Sequence, residues 1–380
     1  MAQGADEKLR KIAMAAPDIS EADVQAVAEV VRSGRLALGP KTEEFERKMA
    51  EYVGVAHAVA VSSGTSALHL IVRALGIGPG DEVLVPSFTF AASVNAILYE
   101  GAKPVFVDIE PDTYNLSPRD LEAKITPRTK AVMAVDVFGH PVEWDEILPV
   151  AEKHGLKVID DSCEALGARY KGEMVGRFGD AAAFAFYPNK QMTTGEGGII
   201  VTNDSELAAL ARSMRNQGRG SMGAWLEHER LGYNYRLNEM SAALGVTQLA
   251  RIDRLLARRR QVAEAYNEAL AGVEGLRLPA VRPHARMSWF VYVVTLEPGL
   301  DSEALMRYLQ ERGVPTRAYF SPIHQQPYVR EILGSDHGLP NTEAIADRTL
   351  ALPFGPHLDH EDVDYVARVL LAGMGELGGR

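Results

Sequence analysis

The chain has 380 residues, 46% hydrophobic and 24% charged, an ordinary globular composition that argues against disorder and coiled coil. Its net charge of −11 (40 Lys and Arg against 51 Asp and Glu) disfavours a long polyanion such as DNA, while leaving open a small anion in one local pocket. One cysteine, Cys163, excludes an intrachain disulfide and a multi-cysteine zinc site, and suits a reducing compartment.

The longest apolar stretch near the start, Ile12–Ala16, is too short for a signal-peptide core, and no run approaches the roughly 20 residues that span a bilayer. A soluble, cytoplasmic protein of two or three folding units is therefore expected, with no nucleic-acid or membrane partner and no metal. In chain order, residues 1–19 are mixed, and Ser20-Glu-Ala-Asp23 has the capping-box pattern that starts a helix. A second helix is predicted over Thr42–Tyr52. An alternation follows: strand Ala56–Val61, helix Thr65–Leu75, strand Glu82–Val85, helix Ala91–Tyr99 and strand Pro104–Val107. Helix 118–124, strand 130–135, helix 143–154 and strand 156–160 continue it, and Ala181–Phe186 and Gly198–Val201 add two more apolar runs. Short Val- and Ile-rich runs between helices predict an α/β fold with a mostly parallel sheet covered on both faces.

From Arg236 to about Leu270 runs a long amphipathic stretch carrying Arg251, Arg254, Arg258, Arg259 and Arg260. Interleaved Leu249, Ile252, Leu255 and Leu256 make it a solvated helix face rather than a nucleic-acid patch. Beyond Leu276 the pattern becomes strand 289–296, helix 302–313, strand-like 314–318, a loop, and helices near 341–349 and 359–372. The expected organisation is a large α/β domain over 1–245, and over 246–380 a connecting helix with a smaller α+β domain.

Several motifs fail on spacing. Gly76-Ile-Gly78-Pro-Gly80 misplaces the last glycine of a dinucleotide fingerprint, and Glu173 stands where a P-loop after Gly167 and Gly172 needs lysine. His360-Glu-Asp-Val-Asp364 lacks the second histidine of a zincin helix. Three segments remain, all at strand ends, where open α/β sheets bind ligands. Val61-Ser-Ser-Gly64-Thr65-Ser66 is either a phosphate cradle at a helix N-terminus or a plain capped helix start. Asp160-Asp161 ends an apolar strand, where a buried acid needs a cation or donor, unless the pair merely caps a helix. Lys190 lies in a Gly- and Thr-rich loop flanked by Phe184, Phe186 and Ile199, a setting that can desolvate an amine, although lone lysines are usually solvated. A cradle, a strand-end acid and a loop lysine together match what pyridoxal 5'-phosphate (PLP) requires.

The motifs Ser63-Gly-Thr-Ser-Ala-Leu68, Pro86-Ser-Phe-Thr-Phe90, Asp160-Asp-Ser-Cys-Glu164, Tyr187-Pro-Asn-Lys190 with Thr194-Gly-Glu-Gly-Gly198, and Gly232-Tyr-Asn-Tyr-Arg236 resemble the DegT/DnrJ/StrS family of sugar aminotransferases. The likeness runs from about Pro17 to the last helix. It implies the PLP-dependent transferase fold type I, with a mostly parallel seven-stranded sheet.

It also implies that Lys190 is the Schiff-base lysine and Asp161 the partner of the pyridine nitrogen. Phe90 would stack on the ring, Gly64, Thr65 and Ser66 would hold the phosphate, and Glu164 would lie near the phenolic oxygen. Asn234 would reach the phosphate of a neighbouring subunit, making the protein a homodimer with shared sites. Arg219, Arg236, Arg317 and His324 are candidate substrate contacts, with salt bridges or a structural histidine as the alternative. Where many relatives have a phosphate-binding serine, this chain has Ala185.

The implied reaction is a ping-pong transfer of the amino group of L-glutamate to a nucleotide-linked keto-deoxysugar, a 4-keto-6-deoxyhexose, on the perosamine-synthase pattern, in polysaccharide or secondary-metabolite biosynthesis. A keto-cyclitol or other non-nucleotide ketone is the alternative substrate. A sugar dehydratase, which would have His at the lysine position, and a non-catalytic PLP-binding regulator are the rival readings.

Overall fold

The computed structural model describes residues 10–220, 227–335 and 337–378; the first nine and last two residues of the two expected domains, and 221–226 and 336, lie outside the described residues. Helix α1 (Glu21–Ser33) opens on the expected box, the Ser20 N–H donating to Asp23 Oδ2 at 2.7 Å. Then follow α2 (Pro40–Val53), β1 (His57–Val61), α3 (Gly64–Ala74), β2 (Glu82–Pro86), α4 (Ala91–Tyr99), β3 (Lys103–Val107) and α5 (Pro118–Ala123). After these come β4 (Thr129–Val135), α6 (Trp144–His154), β5 (Lys157–Asp161), the short β6 (Arg169–Tyr170) and β7 (Glu173–Met174), β8 (Ala181–Ala185), β9 (Gly198–Thr202) and α7 (Ser205–Arg215).

The central sheet has seven strands in the order β1-β9-β8-β5-β4-β2-β3. Only β9 runs against its neighbours; the pairings β2–β3, β2–β4, β4–β5 and β5–β8 are parallel. Strands β2 and β9 are buried along their whole length, which is why they read as unbroken apolar runs instead of alternating ones. With six strands in one direction, their carboxyl ends and the start of β9 gather at one edge.

The second half contains α8 (Glu239–Leu249), α9 (Ile252–Ala269), β10 (Leu276–Arg277), β11 (Ala285–Arg286), β12 (Tyr292–Leu296), α10 (Ser302–Glu311), α11 (Pro327–Leu333), α12 (Pro340–Ile345), β13 (Thr349–Leu352) and α13 (His360–Gly378). An antiparallel sheet β10-β12-β13 shares one core with residues of α9, α10 and α13, among them Tyr266, Leu309 and Leu370. Residues 10–14 join this core: Ile12 is buried in it, and the Phe354 N–H donates to the Met14 carbonyl at 2.9 Å.

Three predicted elements change. The single stretch Arg236–Leu270 is two helices, broken where the Arg251 guanidinium turns to Asp18 and Asp23, the latter at 2.6 Å. The helix expected over 341–349 stops at Ile345, because Thr349–Leu352 is buried and pairs with β12. Val314–Ala318 forms only one bridge, Arg317 to Ala351.

Candidate active site

The gathered strand ends form a cleft of about 460 Å³. At the end of β1 the chain turns through Ser63 into α3, and the Ser63 hydroxyl caps it by accepting the Ser66 N–H at 3.0 Å. Ser66 Oγ lies 3.0 Å from Ser62 Oγ and 2.9 Å from Ser63 Oγ. The Ser66 N–H is taken by the cap and Ser66 does not line the cleft, a departure from the cradle expected of Gly64, Thr65 and Ser66 together. Gly64 and Thr65 do line it, and their N–H groups stand in the first turn, where no intrahelical carbonyl can reach them.

Gly64 is a matter of space. A Cβ there would fall 2.7 Å from the Ala185 Cβ and 2.9 Å from the Cys163 sulfur. Across the turn, a Cβ at Gly198 would fall 2.3 Å from the Ser63 carbonyl oxygen, so the start of β9 can pass the cradle only as glycine.

At the end of β5, strand alternation sends the two acids to opposite faces. Asp161 faces the cleft, 4% exposed, accepting from Ser93 Oγ at 2.6 Å and the Cys163 N–H at 3.2 Å. It has no cationic partner among the described residues. Asp160 turns away to Asp136; the Ser162 hydroxyl lies 2.7 Å from a carboxyl oxygen of each, and the Gly176 N–H donates to Asp160. Burial pushes the Asp160 carboxyl up to about 6, and burial with the nearby Asp160 charge pushes Asp136 well above the usual carboxylate range. The pair therefore shares a proton, and Asp136 is a member that sequence spacing did not reveal.

Lys190, between β8 and β9, projects its amine into the cleft, 3.8 Å from the centre of the Phe290 ring and 3.6 Å from Glu164 Oε1. Glu164 is 6% exposed and accepts the Phe138 N–H at 3.0 Å. Burial raises its affinity for a proton, and the Lys190 charge opposes that rise. Phe90, the N-cap of α4, lines the cleft with 63% of its surface open, a flat ring without a stacking partner among the described residues.

The remaining candidates lie elsewhere. Asn234 is exposed, bridges Asn216 and does not line this chain's cleft. Arg236 donates to Asn216 Oδ1 at 2.9 Å and Gln217 Oε1 at 2.8 Å, while Arg219 bridges His228. Arg317 is exposed and donates to the Thr316 carbonyl at 2.8 Å; its neighbour Ala318 lines the cleft instead. His324 corrects a second expectation. It is 2% exposed and does not line the cleft, with Nδ1 2.7 Å from Ser87 Oγ and Nε2 3.5 Å from Glu343, so its ring fastens its loop to the end of β2.

Sequence reasoning missed Ser93, Phe290, Tyr319 and Phe320 in or beside the cleft. Ser93 had one signal: it lies three residues into the helix that Phe90 opens. The donor set fits a flat, phosphorylated, cationic-ring aldehyde: helix N–H groups for an anion, a buried acid without a cation, an amine, and an open aromatic face. The side-chain oxygen of Asn189, also in the lining, is buried without a hydrogen-bond partner among the described residues.

The DegT/DnrJ/EryC1/StrS aminotransferase family matches residues 17–371. The chain is 41% identical to the GDP-perosamine synthase of Caulobacter vibrioides, over 95% of this chain and 98% of that protein. It is 41% identical to the dTDP-3-amino-3,4,6-trideoxy-alpha-D-glucose transaminase of Streptomyces venezuelae, over 88% and 87%. The PLP form of Spr1654 from Streptococcus pneumoniae, described as a sugar aminotransferase, superposes with a TM-score of 0.92 at 29% identity, over 97% of this chain and all of that one. A cleft with this donor set at the strand ends of a mostly parallel sheet suits a PLP-dependent enzyme, and the family match makes that enzyme an aminotransferase. This chain belongs to the DegT/DnrJ/EryC1/StrS aminotransferase family.

Proposed function

We propose that the protein uses PLP to move the amino group of L-glutamate onto a nucleotide-linked keto-deoxysugar, a 4-keto-6-deoxyhexose, for surface polysaccharide or secondary-metabolite synthesis in the cytoplasm. One observation carries the reading: the Lys190 amine shares a buried cleft with Asp161, an acid without a cationic partner among the described residues. Bound there, the cofactor supplies an aldehyde that exchanges amines and a ring that delocalises the charge left when a carbon loses its proton.

This chain's residues do the rest. Asp161, oriented by Ser93 and the Cys163 N–H, keeps a ring nitrogen protonated. Gly64 and Thr65 would hold the phosphate on the α3 N-terminus, and Phe90 would cover one face of the ring. The Lys190 amine, when free, would be the base and then the acid that moves the proton. Glu164 stands beside it and would lie near the phenolic oxygen.

Asn234 is assigned to the phosphate of a partner subunit in a homodimer, and Arg219 and Arg236 to the anionic ends of donor or sugar nucleotide. The chain is taken as a large domain to about residue 245 and a smaller one beyond. The test is a panel of GDP- and dTDP-linked keto sugars with L-glutamate, scored by product mass. An amino sugar with stoichiometric 2-oxoglutarate supports the proposal; loaded protein that aminates no keto sugar while aminating a keto-cyclitol overturns the substrate class.

A further inference from the structure

Arg259 sits on α9, within the arginine-rich stretch that reads from sequence as a solvated face. It is instead 2% exposed and makes no ion pair among the described residues. A buried guanidinium is costly unless its N–H groups are satisfied, and its planar fork favours fixed acceptors. Here the acceptors of the two terminal nitrogens are four main-chain carbonyls in two separate segments, while Nε is buried without a partner among the described residues. One terminal nitrogen donates to Trp289 at 3.3 Å and Phe290 at 3.1 Å; the other donates to Asn189 at 3.0 Å and to Lys190. Burial alone lowers its hold on its proton, to about 10, so it remains charged at neutral pH.

The two segments are those that meet in the cleft. One carries the Lys190 amine and the other the Phe290 ring, 3.8 Å apart. The second segment also contains Trp289 at φ +57°, a left-handed backbone that a bulky residue adopts only when its surroundings fix it.

Resting on the reading of Lys190 as the reactive amine, we propose that Arg259 is a positioning residue: by tying the Lys190 loop and the Phe290 segment to one rigid fork, it sets the amine over the aromatic ring.

The test uses the full chain, with and without PLP, as Arg259→Gln and Arg259→Lys beside an Arg254→Gln control on the same helix. In Arg259→Gln, amide exchange over 188–194 and 288–291 is expected to accelerate roughly tenfold or more, the rest of the chain changing less than about twofold. Labelling of Lys190 by an amine-reactive acylating reagent in the cofactor-free protein changes at least about threefold, and Arg259→Lys lies between. At equal cofactor content kcat falls roughly tenfold or more, with KM for the donor within about threefold.

Unchanged exchange and labelling in a folded Arg259→Gln protein overturn the proposal, as does an increase in exchange spread evenly over the chain. If Arg259→Gln does not fold, Phe290→Leu in wild-type and Arg259→Lys backgrounds decides. Effects on Lys190 labelling that fall short of their product support the proposal, and effects that multiply overturn it. Exchange and labelling need no turnover, so a protein that transaminates nothing sinks the proposed function while these readouts still judge Arg259.

Discussion

The Lys190 amine and the Glu164 carboxylate face each other at 3.6 Å, Glu164 buried and Lys190 partly so, in a cleft whose lining includes a helix N-terminus and an aromatic ring. Burial makes Glu164 bind its proton more tightly than an exposed carboxyl does.

Glu164 is therefore ionised above its raised folded value and neutral below it, and falling pH removes the anion facing Lys190. Glu164→Gln, which lacks the anion at every pH, is expected to flatten the acidic limb and to hold kcat/KM near the low-pH level of the wild type. Rates measured from pH 5 to 9 check this, and an unaltered limb contradicts it.

Ser93, itself fully buried, donates to Asp161 at 2.6 Å and so supports the acid. Asp161→Asn should retain the fold and lower kcat about 100-fold or more, since a neutral amide no longer favours a protonated ring nitrogen. Ser93→Ala should cost about tenfold, a hydrogen bond to a charged group being worth about 1.5–3 kcal/mol. Single-turnover rates with L-glutamate, compared at equal cofactor content, test the ranking.

The cradle was legible as a small-residue turn, and its glycine proves to be a matter of space. Gly64→Ala should destabilise the protein by about 1–3 kcal/mol and weaken cofactor binding, because its Cβ would lie 2.7 Å from that of Ala185. Ala185→Gly in the same chain should return part of the loss, leaving the Cys163 contact at 2.9 Å as the remainder. Thermal unfolding and PLP titration of the single and double variants measure both effects.

Much of the fold was readable because the central strands are buried on both faces and alternate with helices. Lys190 and Asp161 stood out because polar residues at apolar strand ends are conspicuous. Side-chain direction was not readable. Ser66 lies within the expected cradle motif yet turns back into its own cap, and His324 lies near the site in sequence pattern yet fastens a loop to Ser87. Arg259 and its exposed neighbour Arg254 look alike in sequence; only the packing of α9 against the Lys190 loop separates them. Thr349–Leu352 illustrates the ambiguity of short apolar runs, since its strand pairing depends on β12, more than 50 residues earlier.

Asp160 and Asp136 share a proton beneath the site, with Asp160 raised from 3.8 to about 6. A carboxyl with a raised folded value contributes stability that is complete below about pH 4 and lost as pH climbs through about 6. Asp160→Asn is expected to reduce this loss, because it removes the acid that must ionise and the charge that raises Asp136. Melting temperatures from pH 4 to 8 should show the variant gaining on wild type as pH rises; a constant offset contradicts the shared proton.

The most direct measurement is borohydride reduction of the PLP-loaded protein, followed by peptide mass mapping, with the visible spectrum recorded before and after L-glutamate. The account predicts one reduced adduct, on Lys190, and a visible band that glutamate removes. An adduct on another lysine, or a band on Lys190 that responds to no amino donor, would contradict it.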